Sequence, residues 1–462
     1  MSGGFDLVIL GSGTTAFAAA QRAAARGARV AMVEQSQLGG TCVNWGCVPS
    51  KTLIHKAKIY FEGLHGGRYG LMFKDEGLDC SRLMAAKDLA VTTVRRERYQ
   101  KVLDANPLIE VIRGHGRFLS PRELQVGAQV LVSPRFLIAS GGVPRVPRLP
   151  GLAEVSYLTS YSALHLSCVP RSLLILGGGV IALEIGQMFQ RFGCRVTVLE
   201  RGDRPLCEFD PRLTSILRQV MAEEGMELRF GVEAQRIFSG NGEACVAVRG
   251  PDGDEVFRAE RLMLAVGTAP ASDGIGLEAA GVAVGAGGFI VTDAEMRTSA
   301  PGIWAAGDVT GPPLIAPAGI EEAEVATDNM FAPEAHRRID HRNTPMAVFV
   351  DPEVAGVGLS AEQARAEGRQ VVETFLPMEQ VAKAHVLGER PGGILLVAER
   401  GSGRVLGVQM LAPRAADIIH EATLAVRYGL TVRDLAETVH VYPTISDGLR
   451  LAALENLGQQ PR

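Results

Sequence analysis

The chain has 462 residues, which is the usual length of about three domains. Its 47 basic and 51 acidic side chains give a formal net charge of −4, and this near-balance argues against a nucleic-acid-binding protein. No apolar run is long enough to span a bilayer, and the N-terminus lacks a signal-type segment, so we expect a cytoplasmic protein without a membrane partner. Seven cysteines, an odd number in a long chain, indicate redox or metal chemistry and not a secreted disulfide scaffold.

A repeat is the first strong pattern in the chain, because residues 5–35 and 171–201 align without gaps. Each copy has an apolar run, a Gly-x-Gly-x-x-Ala turn, a helical stretch and a second apolar run that ends on Glu. The glycines allow a tight turn and close approach to a pyrophosphate, the alanine lets the helix pack on the strand, and the acid binds ribose hydroxyls. The repeat therefore predicts two dinucleotide sites, containing Gly11, Gly13, Ala16 and Glu34 in the first copy and Gly177, Gly179 and Glu200 in the second.

A cysteine pair, Cys42 and Cys47, follows the first copy with C-x4-C spacing. Most zinc knuckles use C-x2-C, and no second Cys or His pair lies nearby at ligand spacing, so we expect no structural metal. Helix-prone residues follow Cys47, and a cysteine at a helix N-terminus has a lowered thiol pKa that suits thiol–disulfide exchange. Spacing alone leaves two buried cysteines in a Gly-rich turn as the alternative, whereas the neighbouring dinucleotide site favours redox chemistry.

The segment LGGTCVNWGCVPSK, residues 38–51, resembles the redox-active disulfide signature of the flavin-dependent pyridine nucleotide-disulfide oxidoreductases of class I. That family includes mercuric reductase, dihydrolipoamide dehydrogenase and glutathione reductase. The resemblance covers essentially the whole chain, although Trp45 stands where Val is usual. It implies an α/β fold with two Rossmann-like dinucleotide-binding domains and a C-terminal α+β dimerisation domain. The implied ranges are 1–150 and 271–340 for the two parts of the FAD domain, 151–270 for the NAD(P) domain, and 341–462 for the interface domain of a homodimer.

The resemblance implies that the first copy binds FAD and the second binds NAD(P)H. Lys51 is then expected near the flavin N5, in a salt bridge with Glu184. Asp308, at the end of an apolar strand, is expected to direct its carboxylate at the ribityl hydroxyls. Glu200 favours NADH over NADPH because a carboxylate repels a 2′-phosphate, while the nearby Arg201 and Arg204 leave NADPH open. The remaining implied nucleotide contacts are Gly40, Thr41, His115, Ser140, Gly141 and Gly267.

The C-terminal segment HVYPTISD, residues 440–447, departs from the family pattern His-Pro-Thr-x-Ser-Glu. In most members that His is the acid/base for the distal cysteine across the dimer, and the Glu orients it. Here Tyr442 takes the His position, as in mercuric reductase, where the Tyr lies in the metal-binding pocket, and Asp447 takes the Glu position. A phenol is a poor base at pH 7. His440 is the other candidate for the missing imidazole, because on an extended segment it points to the same face as Tyr442.

The implied function is electron transfer between NAD(P)H, FAD and the cysteine pair, with Cys47 next to the flavin and Cys42 as the exchange thiol. Three alternatives remain: Hg(II) reduction with the two sulfurs as transient metal ligands, reduction of lipoamide or another small disulfide, and a non-catalytic redox-sensing flavoprotein. Tyr442 favours the first. The sequence ends LGQQPR with no cysteine after Cys245, so the terminal cysteine pair usual in mercuric reductases is missing, which weakens it. Glu200 favours the second alternative, and the presence of the cysteines, Lys51 and Glu184 argues against the third.

Overall fold

The computed structural model describes residues 4–332, 334 and 336–461. The part that precedes the second copy of the repeat contains β1 (Leu7–Leu10), α1 (Thr14–Ala24), β2 (Val30–Glu34), α2 (Gly40–Asn44), α3 (Cys47–Leu64), α4 (Cys80–Arg95), α5 (Lys101–Ala105), β3 (Ile109–Arg113), β4 (Gly116–Ser120), β5 (Glu123–Val126), β6 (Gln129–Val132), β7 (Phe136–Ile138) and β8 (Gly142–Pro144).

The next part contains β9 (Tyr157–Leu158), α6 (Ser160–Ala163), β10 (Ser172–Leu176), α7 (Val180–Arg191), β11 (Arg195–Glu200), α8 (Pro211–Glu223), β12 (Glu227–Phe230), β13 (Glu233–Gly240), β14 (Glu243–Gly250), β15 (Gly253–Ala259), β16 (Arg261–Leu264) and β17 (Thr268–Pro270). It is followed by α9 (Leu277–Ala280), β18 (Ile303–Ala305) and α10 (Ala316–Phe331).

The last part contains β19 (Met346–Val348), β20 (Glu353–Gly358), α11 (Ala361–Ala366), β21 (Val371–Pro377), α12 (Ala382–Leu387), β22 (Gly393–Glu399), β23 (Val405–Ala412), α13 (Ala415–Tyr428), α14 (Val432–Glu437) and α15 (Asp447–Gln459). Its strands form a five-stranded antiparallel sheet in the order β19-β20-β23-β22-β21. α13 packs on β20 and β23, and α15 packs on β21 and β22.

Two parallel sheets repeat the same design. The first has the order β3-β2-β1-β7-β18 and the second the order β12-β11-β10-β16-β9. β1, β2 and β10 are buried along their whole length, as expected for central strands of a parallel sheet covered on both faces. β18 joins the first sheet although the whole second sheet lies between β7 and β18 in the chain. The predicted fold class, two Rossmann-like domains and a C-terminal α+β domain, is confirmed.

The two nucleotide-binding parts are connected by two short crossing segments. β8 and β17 pair antiparallel, with Gly142 opposite Pro270. On either side of this ribbon, the Ala271 amide donates to the Gly141 carbonyl at 2.9 Å and the Arg145 amide donates to the Gly267 carbonyl at 3.0 Å. The ribbon therefore fixes the first unit next to the second at the point where the chain passes between them. Across the described residues, no helix is long and apolar enough to cross a membrane.

Candidate active site

The first position of each fingerprint requires glycine for the same structural reason. Gly11 and Gly177 have φ values of 122° and 109°, in the left-handed region that favours glycine. A Cβ at Gly11 would collide with the carbonyl oxygen of Ala139, and a Cβ at Gly177 with that of Ala265. Each of these carbonyls lies at the end of the neighbouring strand, so the two turns are equivalent in three dimensions as well as in sequence. Gly13 and Gly179 then precede α1 and α7 directly.

The two fingerprint acids are also held in the same way. Glu34, at the end of β2, accepts the Ser12 hydroxyl and the Ser36 amide, each at 2.5 Å. Glu200, at the end of β11, accepts hydrogen bonds from the backbone amides of Gly178 at 2.5 Å and Gly202 at 2.6 Å. Both carboxylates are thereby fixed beside the turn of their own glycine loop, where a ribose bound at the turn would meet them.

Cys42 and Cys47 form a disulfide, with their Cα atoms 4.7 Å apart. Cys42 lies in α2, and Cys47 is the first residue of α3, as the helix-prone sequence after it predicts. Both cysteines are half-buried. A Cβ at Gly40 would come within 2.7 Å of Gly13 Cα, so the start of α2 lies against the start of α1. The disulfide is therefore adjacent to the first nucleotide site.

Lys51 and Glu184 form the expected salt bridge. Lys51 Nζ donates to Glu184 Oε2 at 2.7 Å, and Glu184 is only 4% exposed. The other oxygen of Glu184 accepts the backbone amide of Phe349 at 2.8 Å. Lys51 Nζ also lies 4.7 Å from the centroid of the Phe349 ring, which is cation–π distance. Phe349 was not predicted from the sequence, because no spacing relates it to Lys51 or Glu184.

A second cluster, of titratable side chains, lies beside the predicted ribityl site at the end of β18. Glu322 Oε2 accepts the Gly307 amide at 2.6 Å, and Glu322 Oε1 is 3.0 Å from His341 Nε2. The hydrogen bond that His341 donates to Glu322 raises the pKa of His341. Burial, with a further contribution from the Glu322 charge, raises the pKa of Asp308. Neither Glu322 nor His341 was identified from the sequence, since no spacing relates them to Asp308.

The first unit fits a bound FAD. Ser140 Oγ is buried and has no hydrogen-bond partner among the described residues, which is unusual for a buried hydroxyl unless a ligand supplies the partner. The close approach of Gly40 to Gly13 brings the starts of α2 and α1 together, and a helix N-terminus favours phosphate binding. Of the other predicted contacts, His115 has its ring nitrogens 2.9 Å from Gln35 Oε1 and 3.3 Å from the Gly274 carbonyl.

Comparison with known proteins gives a consistent result. The family model described as pyridine nucleotide-disulphide oxidoreductase matches residues 5–329, and the model of that family's dimerisation domain matches residues 344–453. The chain belongs to this family. Its members depend on FAD and use a pyridine nucleotide as substrate, so this chain is a flavoprotein oxidoreductase with Cys42–Cys47 as its disulfide redox centre.

Individual relatives in the family carry different names. The chain is 38% identical over 453 residues to a mercuric reductase from Staphylococcus aureus, covering 98% of this chain and 82% of the relative. It is 36% identical over 454 residues to a dihydrolipoyl dehydrogenase from Thermus scotoductus, covering 97% of this chain and 96% of the relative. Among solved structures, the Cu(II) complex of the HOCl-induced flavoprotein disulfide reductase RclA from Escherichia coli matches with a TM-score of 0.87 and 28% identity, over 98% and 99% of the two chains. LpdA from Mycobacterium tuberculosis matches with a TM-score of 0.89 and 26% identity, over 97% and 99%.

The C-terminal segment places its three candidate residues in different surroundings. The Tyr442 side chain is 72% exposed. The His440 side chain is only 6% exposed, with its nitrogens 2.9 Å from the Thr438 carbonyl and 2.9 Å from Glu421 Oε1. Asp447 is buried at the start of α15 and accepts Arg450 Nε at 2.8 Å. Within one chain, no hydrogen bond or ion pair among the described residues joins this segment to the cysteine pair.

One side chain near the disulfide, Tyr161, was missed in the sequence. Tyr161 contacts Thr41, directly before Cys42, and its ring stacks on Trp45 inside the cysteine loop. Tyr161 is the second residue of the short helix α6 far along the chain, and no spacing or periodicity relates it to the cysteines. No group of three or more His, Cys, Asp or Glu residues suited to hold a metal ion occurs within the described ranges.

Proposed function

We propose that the protein reduces Hg(II), delivered as a complex with small thiols, at the expense of NADH. The observation that carries this proposal is the exposed Tyr442 at the position where most family members have a histidine base. Support comes from the mercuric reductase relatives, which are similar over nearly the whole chain. Within this sequence no cysteine follows Cys245. In the proposed reaction Hg(II) reaches Cys42 by exchange with the thiols of its complex.

The two cysteines have distinct roles in the proposed reaction. Cys42 and Cys47 bind Hg(II) as a pair of thiolates, because soft thiolate ligands select soft metal ions. Cys47, at the N-terminus of α3, is favoured as thiolate by the positive end of the helix. Bound FAD supplies the two-electron relay between the nicotinamide and the sulfur pair. For a complex Hg(SR)2, NADH and one proton are consumed, and Hg(0), NAD⁺ and two thiols RSH are released.

Tyr442 is proposed as the group that contacts the metal complex, and His440 as a structural residue. His440 has both ring nitrogens engaged by Thr438 and Glu421, so it would have to break two contacts before it reached a cysteine. The Tyr442 side chain has no hydrogen bond to any other described residue, and its neighbours Val439 and Val441 are 95% and 77% exposed. An apolar surface of this kind fits a homodimer in which Tyr442 of one subunit meets the cysteine pair of the partner subunit.

NADH is the proposed donor because of Glu200. Its carboxylate is fixed at the end of β11, where a 2′-phosphate would meet a negative charge. The guanidinium of Arg204 is already engaged, since it donates to the carbonyls of Phe209 at 2.7 Å and Cys207 at 2.9 Å. We expect Glu200→Ala to raise the ratio of kcat/KM for NADPH to that for NADH by about tenfold, equivalent to about 1.4 kcal/mol. Glu227→Ala, an exposed carboxylate on the neighbouring β12, is the matched control.

The test of the main proposal is stopped-flow oxidation of the NADH-reduced enzyme. One syringe holds reduced enzyme, and the other holds Hg(II) in excess thiol, lipoamide, glutathione disulfide or buffer. We expect Hg(II) to oxidise the enzyme fastest and release Hg(0), measured as volatile mercury. Oxidation of the reduced enzyme by Hg(II) no faster than its oxidation in buffer would reject the proposal.

The second candidate is reduction of a small disulfide such as lipoamide. It is favoured by the dihydrolipoyl dehydrogenase relative, of which the chain covers 96%. In the same experiment this function predicts fast oxidation by lipoamide and none by Hg(II). The half-buried disulfide with its Lys51–Glu184 pair serves either substrate, so only the electron acceptor separates the two.

A further inference from the structure

We propose that Trp45 and Tyr161 form an aromatic clasp that positions the cysteine loop while its disulfide is open. The clasp rests on the Cys42–Cys47 redox centre alone and applies to either candidate substrate. Its two members are positioning residues, because they act through the loop and do not themselves react.

The first half of the clasp is a ring stack. Trp45 lies between the two cysteines, directly after α2, and its backbone amide donates to the Thr41 carbonyl at 2.9 Å. Its ring lies 5.8 Å from the ring of Tyr161 between centroids, with 23° between the planes. This is an offset stack, one of the favourable aromatic arrangements. A Val at this position, usual in the family, has no ring with which to stack.

The second half of the clasp is the Tyr161 hydroxyl. It lies 3.0 Å from Thr41 Oγ1 and donates to the Gly142 carbonyl at 3.2 Å. A tyrosine hydroxyl has one proton, so donation to Gly142 makes it the acceptor for Thr41. Burial raises the pKa of Tyr161, which keeps the phenol protonated. One side chain therefore joins the residue before Cys42 to the first residue of β8, in the ribbon between the two nucleotide-binding parts.

The clasp matters most when the disulfide is reduced. Two-electron reduction by NADH breaks the S–S bond, so that one sulfur becomes a thiol, the other becomes a thiolate, and NADH becomes NAD⁺. The loop then loses its covalent cross-link, and only non-covalent contacts hold the Cys47 thiolate in place. Trp45 and Tyr161 supply such contacts at the loop and at its anchor, and neither contact involves a sulfur atom.

The test uses the thiolate–flavin charge-transfer absorbance of two-electron-reduced enzyme and the thiol–disulfide equilibrium of the pair in dithiothreitol buffers. Neither measurement needs Hg(II) or lipoamide, so its outcome is independent of the proposed substrate. We expect Trp45→Val to lower the charge-transfer absorbance at least twofold, with wild-type FAD content and thermal midpoint in the oxidised state. Trp45→Phe, which keeps a ring, should restore most of it.

Tyr161→Phe keeps the stack and removes the hydroxyl, and it should shift the thiol–disulfide equilibrium at least twofold. Tyr157→Phe, a half-buried tyrosine on β9, is its control and should behave as wild type. Wild-type absorbance in Trp45→Val together with a wild-type equilibrium in Tyr161→Phe would overturn the proposal. If Trp45→Val loses FAD, Tyr161→Phe decides alone, since a wild-type equilibrium there would show that the hydroxyl does not position the loop.

Discussion

Lys51 Nζ lies 2.7 Å from Glu184 Oε2, although 133 residues separate them in the chain. The first follows the redox disulfide on α3, and the second lies on α7 of the second nucleotide unit. The salt bridge thus joins the helix that carries Cys47 to the helix that begins at the second glycine turn. Because Glu184 is buried, its charge is balanced by Lys51 and by the amide of Phe349 and not by water.

Replacing the buried carboxylate should slow the delivery of electrons to the disulfide. Glu184→Gln keeps the shape of the side chain and removes the charge that balances Lys51. We expect the rate of charge-transfer formation after mixing with NADH to fall about tenfold, an increase in barrier of about 1.4 kcal/mol. Stopped-flow absorbance measures this rate. Glu223→Gln, an exposed carboxylate on α8, should leave it unchanged, and an unchanged rate in Glu184→Gln would separate the salt bridge from electron transfer.

The two cysteines should have distinct spectroscopic signatures. With Cys42→Ser, we expect the Cys47 thiolate to remain free beside the flavin and to give a charge-transfer band without any reductant. With Cys47→Ser no such band should form. Absorbance spectra of the two purified variants decide the assignment, with Cys80→Ser as a control at a free cysteine outside the pair. The opposite result would make Cys42 the sulfur next to the flavin.

Substitution of Tyr442 should lower activity, whereas substitution of His440 should lower stability. Tyr442→Phe should lower kcat/KM for Hg(II) at least about tenfold, that is about 1.4 kcal/mol, while its thermal midpoint stays at the wild-type value. His440→Gln should lower the thermal midpoint, since it breaks the contact with Glu421, and keep most of the activity. Tyr428→Phe, at another exposed tyrosine, is the control. Loss of activity in His440→Gln alone would assign the reaction to the imidazole.

Asp328 should be a major contributor to stability. Burial opposes its ionisation, but hydrogen bonds from Arg22 and Arg337 outweigh that effect and hold the pKa of this carboxyl well below its usual range. The contribution is therefore present above the ordinary pKa of 3.8 and lost as the pH falls through the folded-state value. Asp328→Asn should cost about 2 kcal/mol because it weakens the charge-assisted contacts of the buried carboxylate with Arg22, Arg26 and Arg337, whose side chains are about one-third exposed. Thermal unfolding at pH 7 measures the loss.

The control for this change is Asp340→Asn, which breaks an exposed pair with Arg342. Exposed pairs contribute little, so we expect a loss below about 1 kcal/mol. Equal losses in the two variants would contradict the role assigned to burial.

The contact between His341 and Glu322 should make stability depend on pH. The pKa of His341 is raised by its hydrogen bond to Glu322. Its contribution is therefore complete below the ordinary value of 6.5 and disappears as the pH rises through the higher folded-state value. We expect His341→Gln to cost about 1 kcal/mol at pH 6 and much less at pH 9. The free energy of unfolding is measured at both pH values, with the exposed His55→Gln as control. A cost that does not change between pH 6 and pH 9 would contradict this prediction.

Sequence patterns predicted the parts of the site that are built from short-range geometry. The glycine turns and the fingerprint acids recur because each is defined by one strand, one turn and one helix. The Lys51–Glu184 contact came from the resemblance to a known family and not from spacing. Tyr161 was out of reach because its contact with Thr41 spans 120 residues and follows only from how two units pack. The burial of His440 also depends on a helix 19 residues away, through Glu421.

Side chains on one face of α7 also form hydrogen bonds with the C-terminal domain. Glu184 holds the Phe349 amide, Gln187 exchanges two hydrogen bonds with the backbone of Asp351, and Arg191 pairs with the Asp351 carboxylate at 2.8 Å. These three side chains tie α7 to the segment that joins β19 to β20. Any displacement of residues 349–351 would therefore act on the helix whose Glu184 holds Lys51.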